Sequence, residues 1–264
     1  MSNLSCRLAV SERVFIVADR DFRKKQKADF RASRKVEQQF AVKLRKIANH
    51  IGEIVSSIAD GTLSSALKIG ELMARFSEAL VPWAEAVTRR MHLEIDARDK
   101  KQWVKYAEQM GVALREEVTT TPVGDVMRQL MAEQVSLIKS IPLEAAQRVH
   151  ELTLKGLSDG TRSKEIADEI MRTGLVTRSR AITIARTETA RTSSILTQVR
   201  AQKVGSTEFI WRTARDANVR ASHKKLEGKT FRWDDPPECD PGHRALPGQI
   251  WNCRCWGEPV IPLD

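Results

Sequence analysis

At 264 residues, 41% apolar and 30% charged, the chain is long enough to bury the cores of two modest units. It has no apolar run near the roughly 18 residues of a membrane span, so a transmembrane protein is excluded. A net charge of +10 favours anionic partners, nucleic acid first.

Residues 1–18 alternate short apolar runs with Ser and Arg and fit a strand, a docking arm or a disordered tail. Glu12, Arg13 and Asp19 interrupt those runs and no small-residue cleavage site follows, so a start in the cytoplasm without a secretory leader is expected. From Asp19 the pattern turns helical, and Val36, Phe40, Leu44, Ile47, Ile51, Ile54 and Ile58 step by fours and threes along one stripe. That is coiled-coil spacing, suited to self-association or to docking on partner helices. Between Arg20 and Lys46 eleven Lys and Arg face three acids, a local excess of +8. Arg20, Arg23, Lys24, Lys25, Lys27, Arg31, Arg34 and Lys35 are therefore candidates for sequence-indifferent, salt-sensitive contact with double-stranded DNA phosphates. The plain alternative is a solvated helix face.

Asp60 and Gly61 stop this helix. A second is expected over 62–79 with Leu63, Leu67, Leu72 and Phe76 inward. Pro82 opens a third, with Trp83, Val87, Met91, Ile95, Trp103 and Tyr106 inward and a charged break at 96–101, ending at Gly111. Further helices are expected over 122–140, from Pro142 to about Gly156, from Thr161 or Ser163 to Met171, and from Thr177 to about Lys203, with Gly174 as a terminator.

After Gly205 the character changes. TEFIWRT alternates as a half-buried strand does, with Phe209 and Trp211 on one face. Asp216 is placed to cap a short helix through Lys225, KTFRW reads as a second strand, and a last strand falls within 254–261. The fold class is mainly α with a small C-terminal α+β domain: an N-terminal arm and long basic helix (1–60), a helical body (61–205), and a short antiparallel sheet braced by Pro/Gly-rich loops (206–264).

Four cysteines, with Cys6 alone near the N-terminus, do not make a secreted disulfide framework. Cys239, His243, Cys253 and Cys255 form C-x3-H followed by C-x-C, the donor set of a structural zinc site, with His223 as an alternative ligand. The plain reading of C-x-C is two residues on one strand face. Asp216, Arg220 and His223 recur at helical spacing, either as a base or ligand oriented by a carboxylate or as a capping residue with two side chains bonding loop carbonyls. Asn252 suggests a nuclease-like His/Asn set, but no second His follows it. Arg186 and Glu188 in IARTET fit an intrahelical or domain-joining ion pair. No phosphate-binding glycine loop, dinucleotide fingerprint or nucleophile elbow occurs, so no catalytic residue is assigned and the chain reads as a non-enzyme. A hydrolase built on His223, His243 and Asp216 is the alternative from another class.

The order IARTET, EFIWRTARDANVRASHKKLEG, KTFRWDDP and PGQIWNCRC resembles the C-terminal domain of the phage head morphogenesis, or Mu F-like minor head protein, family over about residues 180–256. Many members have Cys-x-x-Cys where this chain has Arg220 and His223, and a His where it has Ile250. The resemblance implies a low-copy virion protein of a tailed phage, located in the head interior or at the portal vertex after assembly in the host cytoplasm. Its implied partners are the portal protein and major capsid or scaffold components, with a role in head assembly and in the handling of packaged DNA.

Overall fold

The computed structural model describes residues 28–110 and 121–261. Helix α1, Arg34–Ile58, begins behind Ser33, whose hydroxyl accepts from the Val36 amide at 3.4 Å. The expected helical start at Asp19 lies outside the described residues, but 28–33 are not helical. The apolar stripe is used within the molecule: Val36, Phe40, Leu44, Ile47, Ile51 and Val55 are buried in the helical core, chiefly against α6, Thr173–Lys203. α1 is thus integral to the body, with most of the expected stripe buried inside the molecule and Ile54 and Ile58 half-buried against the same core. Gly52 meets Gly174, where an added Cβ would lie 3.4 Å from the Gly52 Cα, while Glu37 meets Arg186, so the two helices run antiparallel.

Helix α2, Leu63–Ala79, is capped by Thr62 and packs on α4, Gly124–Ser158. Its buried face is Ala66, Ile69 and Met73, while Leu63 and Leu67 are 40% and 55% exposed. Of the expected inward residues Phe76 packs against the core and Leu72 is half-buried, while Leu63 and Leu67 turn outward. Helix α3, Val81–Met110, runs unbroken through 96–101. Those acids are not a solvated turn: Asp96 and Asp99 pair with the fully buried Arg200, and Thr197 donates to Asp99 at 2.6 Å. α4 likewise passes through Pro142 where two helices were expected. Proline removes one helical donor, but Ile138, Ile141, Ala145 and Val149 bury on both sides of it, and Ser77 donates to the nearby Lys139 carbonyl at 3.0 Å. Helix α5, Ser163–Met171, is separated from α6 only at Arg172, so Gly174 lies in the first turn of α6 and allows close approach to Gly52.

Strands β1 (Glu208–Arg212), β2 (Thr230–Arg232) and β5 (Trp256–Val260) form an antiparallel sheet in the order β2-β1-β5, with Phe209 opposite both Phe231 and Pro259. A one-turn helix α7, Ala221–Lys224, and a small hairpin of β3 (Glu238–Asp240) with β4 (His243–Arg244) lie between β1 and β5. The module shares its core with the body. Phe209, Trp211 and Trp233 cluster with Trp103 and Tyr106 of α3, Ala201 of α6 and Phe30. The Tyr106 hydroxyl donates to the Pro259 carbonyl at 2.9 Å. Among the described residues no helix is long and apolar enough to cross a membrane.

Between α3, α4 and α6 lies a buried polar layer. His92 Nε2–H donates to Gln134 Oε1 at 2.7 Å, and the Gln134 amide donates to Glu188 Oε2 and Thr192 Oγ1, both at 3.0 Å. Burial pushes the Glu188 carboxyl up, opposed by the Gln134 hydrogen bond and the Arg191 charge. A carboxyl raised in the folded state costs no stability while both states are protonated, and its cost grows as pH climbs from the unfolded value to the folded one. Glu188→Gln, which keeps the acceptor for Gln134, is therefore expected to raise stability by about 1 kcal/mol at neutral pH, with the difference vanishing below about pH 4, as read by urea unfolding across pH.

Candidate metal centre

Backbone turns and tertiary contacts bring three side chains to one place. Trp211, fully buried at the end of β1, sets its ring edge-on to His223 at 5.4 Å. After β1 the chain turns at Arg215, whose φ is 54°, and Asp216 accepts from the Asn218 amide at 3.0 Å, so this carboxylate closes an Asx turn and caps no helix. The helix begins only at Ala221 and carries His223 inward. From the other side comes the loop before β5. Gly248 has a φ of 89°, and a Cβ there would meet the Cys255 and Ala190 carbonyls at 3.1 and 3.3 Å, so only glycine lets the loop lie against α6. Asn252, at a φ of 59°, is held by its amide donating to Thr187 Oγ1 at 3.0 Å. The turn then places Cys253 and Cys255 side by side over His223.

The Sγ atoms of Cys253 and Cys255 lie 3.6 and 3.5 Å from His223 Nδ1. All three ligand atoms fall within 4.8 Å of one another and all three residues are buried. Zinc bonds of the usual lengths at a tetrahedral angle require a sulfur-to-nitrogen edge of about 3.6 Å, so the donors already stand at ligand spacing. The far side of the imidazole fits too. His223 Nε2 is buried without a hydrogen bond, and Asp240 Oδ1 stands 3.6 Å from it, the side on which an orienting carboxylate is found in zinc sites. A pocket of about 60 Å³ lined by Asn218, Arg220 and Asn252 opens onto the three donors, leaving room for a water-sized fourth ligand.

The two thiols are strongly coupled. The Cys255 thiol, the His223 ring and the Cys255 and Gly248 amides favour the Cys253 thiolate and hold its pKa low against the cost of burial. Cys255 is pushed up by its bond to Cys253, by burial and by the neighbouring negative charge. A pair that ionises once with ease and a second time with difficulty is what a bound cation relieves.

The sequence-predicted residues are divided by this geometry. Cys253, Cys255 and the alternative ligand His223 come together. Cys239 does not join them: it is buried among the aromatics, its thiol donates to the His243 carbonyl at 3.4 Å, and burial pushes its pKa up. His243 is exposed on the small hairpin and is not among the clustered donors. The hydrolase set is split as well, since Asp216 is bound by Arg254 at 2.6 Å while His223 faces the thiols. Arg220 bonds the Trp251 carbonyl at 2.8 Å and lies 3.5 Å from Asp240. Arg186 joins three elements, reaching Glu37 at 3.1 Å and Asn252 at 2.8 Å, whereas Glu188 is sunk in the polar layer. Of the DNA candidates, Arg31 is held by Asp29 at 2.8 Å and lies over the Trp256 ring at 5.4 Å, Arg34 and Lys35 are exposed, and Arg20, Arg23, Lys24, Lys25 and Lys27 lie outside the described residues. Asp240 was missed by sequence reading. Its only signal was position in a Pro/Gly-rich stretch.

Fold and site together define a helical protein closed by a compact module braced by thiols and an imidazole. Residues 147–257 match the family model of Phage Mu protein F like protein, the likeness that the motif order implied. The match extends the likeness back into α4. Among curated relatives, an uncharacterized protein of Haemophilus influenzae (strain ATCC 51907 / DSM 11121 / KW20 / Rd) is 32% identical over 154 residues, 58% of this chain and 34% of that protein. Minor head protein GP7 of Bacillus phage SPP1 is 26% identical over 144 residues, 51% of this chain and 44% of that protein. The chain spans less than half the length of either relative. No solved structure matches it.

Two outcomes are expected of the centre. Protein purified under reducing conditions with zinc should carry about one ion per chain by elemental analysis, and cobalt should give thiolate charge-transfer absorption that Cys253→Ser and His223→Ala abolish but His243→Ala keeps. Gly248→Ala should lower stability by about 1–3 kcal/mol in urea unfolding, because it strains the backbone and presses a methyl group on two carbonyls.

Proposed function

We propose that the protein is a minor head protein of a tailed phage, a structural component of the virion that docks on the portal and contacts packaged DNA. The observation that carries this reading is the family match over residues 147–257, with a relative named as a minor head protein covering half of this chain. The geometry supports a structural role. The motifs of the resemblance are spent on joining elements: Arg186 and Thr187 of IARTET hold the turn at Asn252, and the Cys and His groups brace the loop against α7. We assign zinc to Cys253, Cys255 and His223 as a brace that ties the loop before β5 to α7. The fourth position, open to a small pocket, is the one feature favouring the hydrolase alternative.

DNA contact is assigned to the basic segment from Arg20 to Lys35, of which Arg34 and Lys35 stand exposed at the start of α1. It would be sequence-independent and salt-sensitive. Partners are the portal and other head components, reached by surfaces other than the α1 stripe.

Mass spectrometry of purified virions should find the protein in low copy, co-sedimenting with the portal; its complete absence from virions would end the head-protein reading. In duplex binding measured against salt, Lys24→Glu with Lys25→Glu should flatten the slope of log affinity against log salt by about 2.

A further inference from the structure

A cleft of about 570 Å³ opens where the first turn of α1, the middle of α6 and the loops of the C-terminal module meet. Three guanidinium groups from three separate elements line it, Arg34, Arg186 and Arg254, with Asn218 and Asn252 beside them and Glu37 the one lining carboxylate. Two of the three arginines are already oriented. Arg186 is held by Glu37 at 3.1 Å and by Asn252 Oδ1 at 2.8 Å, and Arg254 is held by Asp216 at 2.6 Å. Arg34 is exposed and makes no hydrogen bond or ion pair among the described residues, though its charge is felt at Asp216. Asn252 keeps its left-handed backbone through Thr187 and turns its side chain into the cleft, with its oxygen spent on Arg186 and its amide donors left over.

We propose that this cleft holds a phosphodiester group of a nucleic-acid backbone, gripped between Arg34, Arg186 and Arg254. The inference rests on the DNA contact suggested above but not on the virion assignment. Guanidinium forks match paired phosphate oxygens, and pre-oriented forks lose little freedom when they bind. The cleft has no aromatic lining on which a base would stack, which points to the backbone and not to base readout. Its volume exceeds a single phosphate and takes in parts of the flanking sugars. A polymer of phosphates is favoured over an acidic peptide because guanidinium forks match paired phosphate oxygens, and because Arg34 ends a stretch, 20–34, in which seven Lys and Arg stand against two acids, the pattern of a phosphate-backbone contact.

The test uses the full-length protein and fluorescence anisotropy with a short labelled duplex of mixed sequence. Arg34→Glu is compared with Lys46→Glu, the same charge change at an exposed position of the same helix outside the cleft. Both variants must melt like the parent protein; since both positions are exposed, this is expected. Arg34→Glu should weaken binding about tenfold or more, the loss of a charge-assisted contact, while Lys46→Glu should change it by no more than about twofold. Glu37→Gln, which removes the one lining negative charge, should tighten binding. Tripolyphosphate should displace the duplex from the parent protein, and a glutamate-rich peptide of equal charge should not.

Equal losses from Arg34→Glu and Lys46→Glu would overturn the proposal in favour of a diffuse basic surface. Displacement by the acidic peptide as effective as by tripolyphosphate would overturn it in favour of a protein partner. No duplex binding by the parent protein would refute the cleft and the DNA contact together. Parent binding that Arg34→Glu leaves intact would refute the cleft alone.

Discussion

A helix buried on most sides cannot leave its polar groups to water, and from Ala181 to Ala201 α6 is such a helix. It contacts α1, α3, α4, α5 and β5, and much of its length is Thr, Ser and Arg. Each buried hydroxyl or guanidinium needs a partner on a neighbour, and those partners fix where the neighbours sit. Thr197 and Arg200 capture Asp99 and Asp96 of α3, Thr192 meets Gln134 of α4, Arg186 meets Glu37 of α1, and Thr187 receives the Asn252 amide of the module. The small side chains serve a second end, letting helices approach at the Gly52–Gly174 contact.

That constraint also explains how far the sequence could be read. The outer helices announce themselves by apolar periodicity, so α1, α5 and the caps of α2 were legible. α6 shows no single apolar face because from Ala181 onward it is buried on most sides, and its start was set four residues late, at Thr177, on the strength of a glycine that is in fact a packing contact. The acids at 96 and 99 look like a solvated break until Arg200, a hundred residues away in sequence, is brought against them. Pro142 reads as a boundary by local rules, and tertiary burial overrides it. The strands β1, β2 and β5 were visible through alternation, but the β3–β4 hairpin, with only three and two residues per strand, lies below what alternation can signal.

The same holds for the candidate centre. C-x-C was legible as a pair of donors because alternate residues share a face, and His223 could be named as a ligand. The choice between His223 and His243 depends on a one-turn helix and on two positive-φ turns at Gly248 and Asn252, which no local pattern specifies. Cys239 was grouped with the others because it is near them in the chain, yet a buried thiol among aromatics is ordinary core. Sequence proximity gave the candidate list, and backbone geometry made the selection.

The glycine contact between α1 and α6 has a mechanical side. Gly52 and Arg34 are 18 positions apart, about 27 Å along a helix at its standard rise, and Gly174 stands about 18 Å from Arg186 on the same measure. The contact sets how closely the two helices run, and the Glu37–Arg186 pair ties them again at the far end, where both carry walls of the arginine-lined cleft, so the width of that cleft is set by the packing of the helical body.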